Sequence, residues 1–463
     1  MKLFKKDAPF YKNVFILGFP IALQTLITVG VGMLDNIMLS RLSQEAFSAA
    51  SLANSFITIF QIFCMGLGMG ASVLVSRYWG MKKAHDNEEK ADISLKQTVC
   101  LMLRLMLLTA LIFALGALLI PRYIMLTYTS VDPLIELGCT YLKYSVATFF
   151  FLGLSLTTTI VLRSVGQSRY PLYVSIAALF INLGGNYVLI FGHFGFPQLG
   201  IAGAAIATLV ARIFEAGAVL FYLLIIDKKV GFRVRHFFMK TRTLIREYIR
   251  VCIPVLISDA IVALGSNAIT MVIGHLGAAF IAANSITAVT QQLSTVVIQG
   301  VCQSGAIITG QTLGKGMKEK AEEQGWLFLG LGFALGFLSA LFIFFTKTPV
   351  IHAYGEKTTA EAVSIAYQLL NSISLIIIFQ ATNSIMTKGV LRGGGDTTML
   401  MFADNIFLWV LSLPLGLLAG FVLHLPAFWI YFFLKSDQIA KTIWCVFRLK
   451  GRKWIKKITT GNN

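Results

Sequence analysis

Long apolar runs, broken by single polar residues rather than by alternation, fill this chain, and one run is written twice. Around Pro20 the sequence reads FPIALQTLITVGVGMLDNIMLSRL, and around Pro254 it reads IPVLISDAIVALGSNAITMVIGHL. GASVLVSRYWG, ending at Gly80, returns as SGAIITGQTLG, ending at Gly314, at the same offset of about 230 residues. A third echo pairs VLRSVGQSRYP (Val161–Pro171) with VLRGGGDTTML (Val390–Leu400). Runs of about 20 apolar residues are what a helix needs to cross a bilayer. A membrane β-barrel would alternate apolar and polar residues, and LMLLTALIFALGALLI does not.

The pattern predicts about twelve helices: 14–38, 47–76, 95–120, 136–162, 171–192 and 201–226, then 251–274, 281–311, 326–346, 363–391, 399–421 and 426–447. The expected fold is an all-α integral membrane protein of two six-helix lobes. An even number of helices per repeat brings both halves in from the same side. Their pseudo-two-fold axis is therefore parallel to the membrane normal, and a substrate cavity is expected between the halves. The expected division is 1–226 for the N-terminal lobe, 227–250 for a basic connector, and 251–463 for the C-terminal lobe with its basic tail.

Composition sharpens this picture. The chain has 463 residues, of which 56% are hydrophobic and 13% charged, about half the charge of a soluble domain. The net charge of +18 suggests nucleic acid until it is mapped. Lys2, Lys5, Lys6 and Lys12, the 77–96 link, the 227–250 link and the tail from Lys435 to Lys457 lie on one side of this topology. The opposite loops hold Arg41, Arg122, Lys347 and Lys357. That asymmetry is the positive-inside rule, with both termini cytoplasmic and anionic lipid as the neighbour of the charge. The connector contains an amphipathic stretch from Phe237 to Ile249, expected to lie on the membrane face. Trp454, among lysines, reads as an interfacial anchor. MKLFKK before the first run is not a signal peptide, since the run is too long and no A-x-A site follows. Six cysteines fall singly and six histidines are scattered, so neither a disulfide framework nor a metal site is expected.

The paired proline-led first helices, the GQTLG ending and the doubled LR-x-x-G turns resemble the multidrug and toxic compound extrusion (MATE) family over about residues 13–450. The resemblance implies export of drug-like, often cationic compounds in exchange for H⁺ or Na⁺, with no cofactor and no enzymatic activity. A multi-pass protein of a bacterial-type cytoplasmic (inner) membrane, working as a monomer among lipids, is the corresponding expectation. The residues alone reach a two-lobed transporter.

A carboxylate inside a membrane helix costs about 2.5–3.5 kcal/mol on insertion scales, so each one calls for a reason. Asp35 stands among apolar neighbours on the first helix. Desolvation there favours its neutral form, whereas a bound Na⁺ favours the ionised one; that competition is an ion-coupled switch. The alternative is a wetted carboxylate at the outer mouth. The resemblance places an acidic coupling site on this helix. Asn182 and Asn186 are i, i+4 on the fifth helix and face one way, either as partners of Asp35 or as helix–helix glue. In the DinF-like branch the position of Asn186 is commonly Asp, so one carboxylate is missing here, which favours proton over tight Na⁺ binding. Tyr141 resembles a family tyrosine of the same cluster.

NorM-like members carry a Glu on the seventh helix, where this chain has Val262, and an acidic residue on the tenth, where only Gln380 and Asn383 are near. The chain thus resembles the DinF-like branch more than the NorM-like one. Asp259, Asn267, Gln291, Gln292 and Asn383 are candidates for a substrate cavity; the other reading is the cytoplasmic entrance close to Arg250 for Asp259, and helix packing for Asn267, Gln291 and Gln292. Arg212 and Glu215, i and i+3, read as a local structural pair. Asp404 is expected in a gate or in a solvated role, and Arg163 and Arg392 as caps of helix ends or contacts to lipid phosphate. Pro20 and Pro254 each remove a backbone hydrogen bond and favour a kink. A lipid-linked sugar flippase is the alternative function, with Lys143 and Arg212 as its thin cationic support, and a membrane-embedded enzyme ranks below it because no P-loop, H-E-x-x-H or nucleophile elbow appears. The copies are not chemically equal: Asp35 aligns with Ile269, and Asp259 with Thr25.

Overall fold

The computed structural model describes residues 7–84, 88–355 and 359–458, the side chains of 353–355 excepted. Lys2, Lys5, Lys6 and Lys357 of the charge map, and the last five residues of the tail, lie outside them. Among the described residues the ordered elements are helices. They are α1 Ala8–Leu42, α2 Gln44–Lys83, α3 Glu88–Leu119, α4 Pro121–Leu126, α5 Asp132–Tyr144, α6 Val146–Ser164, α7 Arg169–Phe191 and α8 Gly200–Phe221. The second half has α9 Arg242–His275, α10 Ala278–Gly314, α11 Lys318–Gly355, α12 Ala360–Ser384, α13 Thr397–Ile406, α14 Leu413–Leu417, α15 Ala427–Leu434 and α16 Asp437–Lys450. Wider π turns continue α8 to Ile226, α12 to Leu391 and α13 as far as α14.

Eleven of the described helices, counted with their π extensions, are long and apolar enough to cross a membrane. Two expected spans are interrupted. The span expected at 136–162 divides at Ser145, whose hydroxyl donates back to the Tyr141 carbonyl at 2.8 Å, a bond that competes with the helix's own ladder. The span expected at 426–447 divides at Lys435 and Ser436. Local chemistry sets several other ends. Ser43 accepts from the Ala46 N–H at the start of α2, Thr359 does the same for Ala362 before α12, and Gly192 ends α7 with φ of 76°, a left-handed conformation suited to glycine.

The chain forms two compact units, Met1–Ala22 with Ile257–Ile458, and mainly Leu23–Leu256. Unlike the sequence division at 226 and 251, both boundaries fall two residues beyond a helix proline, Pro20 in α1 and Pro254 in α9. Each of these helices therefore begins in one unit and continues in the other. The packing that holds the first turns is itself repeated. Within the Leu23–Leu256 unit, Gly66 and Gly70, one turn apart on α2, admit α9. A side chain on Gly70 would lie 2.6 Å from the Cys252 Cα, and one on Gly66 would crowd Leu256. Within the other unit, Gly300 on α10 admits Gly18 and Ala22 of α1, and a side chain there would lie 2.8 Å from the Ala22 Cβ. Gly300 stands at the repeat offset from Gly66, and Gly18 at that offset from Cys252. Small residues one turn apart are what lets membrane helices approach this closely.

The connector does not form a separate amphipathic helix. Arg242–Ile249 are the first two turns of α9, and only Val234–Phe238 make an isolated 3₁₀ turn. Asp227 accepts from the Val230 N–H at 2.8 Å. Gln97 and Arg104 of α3 donate to the Lys240 and Phe237 carbonyls, at 2.8 and 3.0 Å, strapping the segment to α3 within the Leu23–Leu256 unit. Trp454 is not an interfacial anchor: it is fully buried in its unit's core. Gly394 of the RGGGD turn leaves the space its ring fills, and the Lys456 N–H donates to the Gly394 carbonyl at 3.0 Å.

Candidate functional site

Three helices of the Leu23–Leu256 unit bring polar residues to one place, each at helical spacing. On α1 these are Gln24, Thr28 and Asp35; on α7, Ser175, Asn182 and Asn186; on α8, Thr208, Arg212 and Glu215. Positions 3, 4, 7 and 11 apart share a helix face, so each helix turns one polar stripe inward from an otherwise apolar surface.

Two hydrogen-bonded lines result. In the first, the Asn186 Nδ2 donates to the Asp35 carboxylate at 2.5 Å and to the Asn182 Oδ1 at 3.2 Å. The Asn182 amide in turn donates to the Thr208 hydroxyl at 3.3 Å. The asparagines are buried, at 4% and 1% exposure, while Asp35 is half-buried. In the second line Arg163 donates to the Gln24 side-chain oxygen, and the Gln24 amide donates to Ser175 at 2.7 Å. Ser175 donates to Glu215 at 3.1 Å, whose other oxygen meets Arg212 at 2.5 Å.

The lines meet at a cavity of about 50 Å³ lined by Asp35, Ser175, Asn182, Thr208, Arg212 and Glu215, with Ile27, Val31, Ala178 and Leu179 among its apolar walls. One water occupies about 30 Å³ of liquid volume, and drug pockets begin at about 300 Å³. The space therefore suits water or a small ion, not a drug. Its carboxylates differ: Glu215 is neutralised by Arg212, while Asp35 is met by a neutral amide.

The sequence reading anticipated Asp35, Asn182 and Asn186, and the structure brings these three together. Tyr141 is buried nearby, but its hydroxyl donates to Asn54 at 3.3 Å rather than to Asp35. The Arg212–Glu215 pair is more than local, since Ser175 and Gln24 tie it to two further helices. Gln24, Ser175 and Thr208 were missed because an uncharged polar residue in an apolar run gives no charge signal. The three stripes at helical spacing were the signal available.

The candidates of the other unit lie apart. Gln291 donates to Gln380 at 2.8 Å, and buried Asn383 donates to Gln438 at 2.9 Å. Asn267 and Gln292 are exposed. Asp259 is ion-paired with Arg392 at 3.0 Å. Asp404 is not solvated: it is 5% exposed, accepts from Ser258 at 3.0 Å, and shares Lys441 with Asp437 at 3.4 and 3.1 Å. Arg163 and Arg392, buried on Gln24 and Asp259, do not meet lipid phosphate. Among the described residues no three His, Cys, Asp or Glu side chains converge as a metal set.

A family model, MatE, matches residues 20–188 and 254–418, the two copies of the repeat. The chain belongs to the MatE family. This is a family of multi-pass membrane transporters, and several bacterial relatives of the MatE chain carry multidrug resistance names. It is 25% identical over 462 residues to the uncharacterized transporter YisQ of Bacillus subtilis, covering 98% of this chain and 97% of that one. It is 26% identical over 462 residues to the probable multidrug resistance protein NorM of Thermotoga maritima, covering 98% and 95%. The multidrug resistance protein NorM of Burkholderia vietnamiensis is 26% identical over 411 residues, covering 86% and 85%. Among solved structures, a MATE in complex with MaL6 superposes with a TM-score of 0.84 at 18% identity, covering 96% of this chain and 97% of that one. A MOP superfamily transporter from Pyrococcus furiosus gives 0.83 at 19% identity, covering 96% of each chain. At these identities the likeness establishes the MatE fold alone.

Proposed function

We propose that this MatE protein is a secondary active multidrug exporter that exchanges drug-like, often cationic compounds for protons by alternating access, with Asp35 as the coupling carboxylate. The observation that carries the reading is the line Asp35–Asn186–Asn182–Thr208 opening on a cavity of water size. Asp35 is the carboxylate there without an ion-pair partner among the described residues, so its charge is the one that protonation removes. A ligand drives a conformational change only by binding two states differently, and a carboxylate that is half-buried in one state is suited to that. Asn186, where DinF-like proteins commonly carry Asp, leaves one uncompensated charge, which supports H⁺ over Na⁺. The flippase reading loses Arg212, whose charge is taken up by Glu215. Both termini are assigned to the cytoplasmic side of the inner membrane, on the charge map.

The test is dye efflux from everted vesicles under separately imposed pH and Na⁺ gradients, for wild type and Asp35→Asn. A pH gradient should drive efflux by wild type and not by the variant. Efflux driven by Na⁺ alone overturns the choice of ion, and an Asp35→Asn protein that still responds to the pH gradient overturns the choice of residue.

A further inference from the structure

The Arg212–Glu215 pair has no part in proton binding as described so far, yet it lines the cavity that Asp35 faces. Of the residues lining that cavity, Arg212 is the one cation. Its guanidinium has five N–H donors, and one of them, on Nη1, meets Glu215. Its side chain is 23% exposed while that of Glu215 is 9% exposed, so the arginine has room to move and the glutamate does not. Arg212 is also close enough for its charge to act on Asp35.

Glu215 does not depend on Arg212 alone. Its other oxygen is at the end of a chain in which every donor points toward it, from Arg163 through Gln24 and Ser175. Loss of Arg212 to a neighbour would leave Glu215 still hydrogen-bonded to Ser175. Asp35 has no such support, since its bonded partner is the neutral Asn186 amide. The other titratable or charged groups facing this cluster are few. Tyr141 of α5 lies near Asp35 and Arg212, and Arg163 of α6 acts on Glu215. The polar residues that α7 presents to the cavity, Ser175 and Asn182, are neutral.

We propose that Arg212 is a counter-ion shared between two carboxylates, bridged to Glu215 while Asp35 holds its proton and drawn to Asp35 when the proton leaves. Arg212 is then a positioning residue that sets the pH at which Asp35 lets go, and Glu215 sets how much of Arg212 is available. The idea rests on Asp35 being the coupling carboxylate, and it makes a prediction that a structural ion pair does not. Glu215→Gln releases Arg212 to Asp35 and should move the midpoint of pH-gradient-driven efflux down by about one pH unit; Arg212→Gln removes the one cation lining the cavity and should move it up by about one unit. Arg212→Lys, which keeps the charge, should stay near wild type.

The experiment measures dye efflux against pH in proteoliposomes holding the full chain. The carboxyl stretch that disappears in Asp35→Asn, followed by infrared titration, gives a second readout that does not require transport. Opposite shifts for Glu215→Gln and Arg212→Gln support the proposal. Shifts in the same direction, or two unmoved midpoints, overturn it, provided Asp35→Asn has lost its response to the pH gradient. If Asp35→Asn retains that response, the coupling assignment itself falls, and the sharing of Arg212 falls with it.

Discussion

In the unit built mainly from Leu23–Leu256, Asp35 lies beside a small cavity with one amide donor for its carboxylate. In the other unit the buried carboxylates hold cations, Asp404 and Asp437 sharing Lys441 and Asp396 meeting Arg448 at 2.7 Å, and half-buried Asp259 meets Arg392. The position matching Asp35 there is Ile269, 4% exposed in an apolar core. Duplication has preserved the frame, down to the glycines that admit the first turns of α1 and α9. It has not preserved the charge. A paired buried charge is expensive to alter and suits a fixed scaffold, while a carboxylate held by a neutral group can change its protonation state without stranding a partner.

The largest expected effect breaks the scaffold side of this contrast. Lys441→Met leaves Asp404 and Asp437 buried without their cation and should cost about 3–5 kcal/mol, seen as loss of the folded protein on heating in detergent. Survival of normal thermal stability would mean that those carboxylates are not held by pairing. Asp35→Asn should do the reverse, leaving the melting behaviour intact while pH-gradient-driven efflux falls to background. Asn186→Asp restores a second carboxylate beside Asp35 and should add a dependence on Na⁺, read as efflux under a Na⁺ gradient that wild type ignores. The smallest effect is expected of Tyr141→Phe. It removes a hydrogen bond to Asn54 worth about 0.5–1.5 kcal/mol and should shift stability slightly without moving the pH profile; a moved profile would place Tyr141 in direct contact with the proton site.

Much of the fold could be read before any coordinates, because apolar length is a strong signal and the repeat doubles it. The breaks at Ser145 and at Lys435 could not, since a serine that bonds back to its own helix looks like any other polar residue in an apolar run. For the site, a carboxylate in a membrane helix and two asparagines one turn apart were visible. Their partners were not: Gln24, Ser175 and Thr208 are common in membrane helices, and only the meeting of three stripes gives them meaning. Trp454 misled for a chemical reason, since tryptophan among lysines has the composition of an interfacial belt, and nothing local reports that Gly394 leaves a space for it. Asp404 was expected in solvent because it begins a helix after a polar turn, and its distant partners Lys441 and Ser258 decide otherwise.

The crossing of α1 and α9 between units bears on how the protein is made. The unit of Leu23–Leu256 has all of its described residues once residue 256 has left the ribosome. The opening turns of α1, synthesised before any of it, belong with α10 and α11, where Phe10 packs edge-on against Phe328 at 4.9 Å. They emerge before α10 and α11 and find their partners only when those later helices arrive. Neither half expressed alone carries a complete unit, so separately expressed halves must exchange their opening turns to regain activity. The opening turns of α1 are packed only by helices translated long after them.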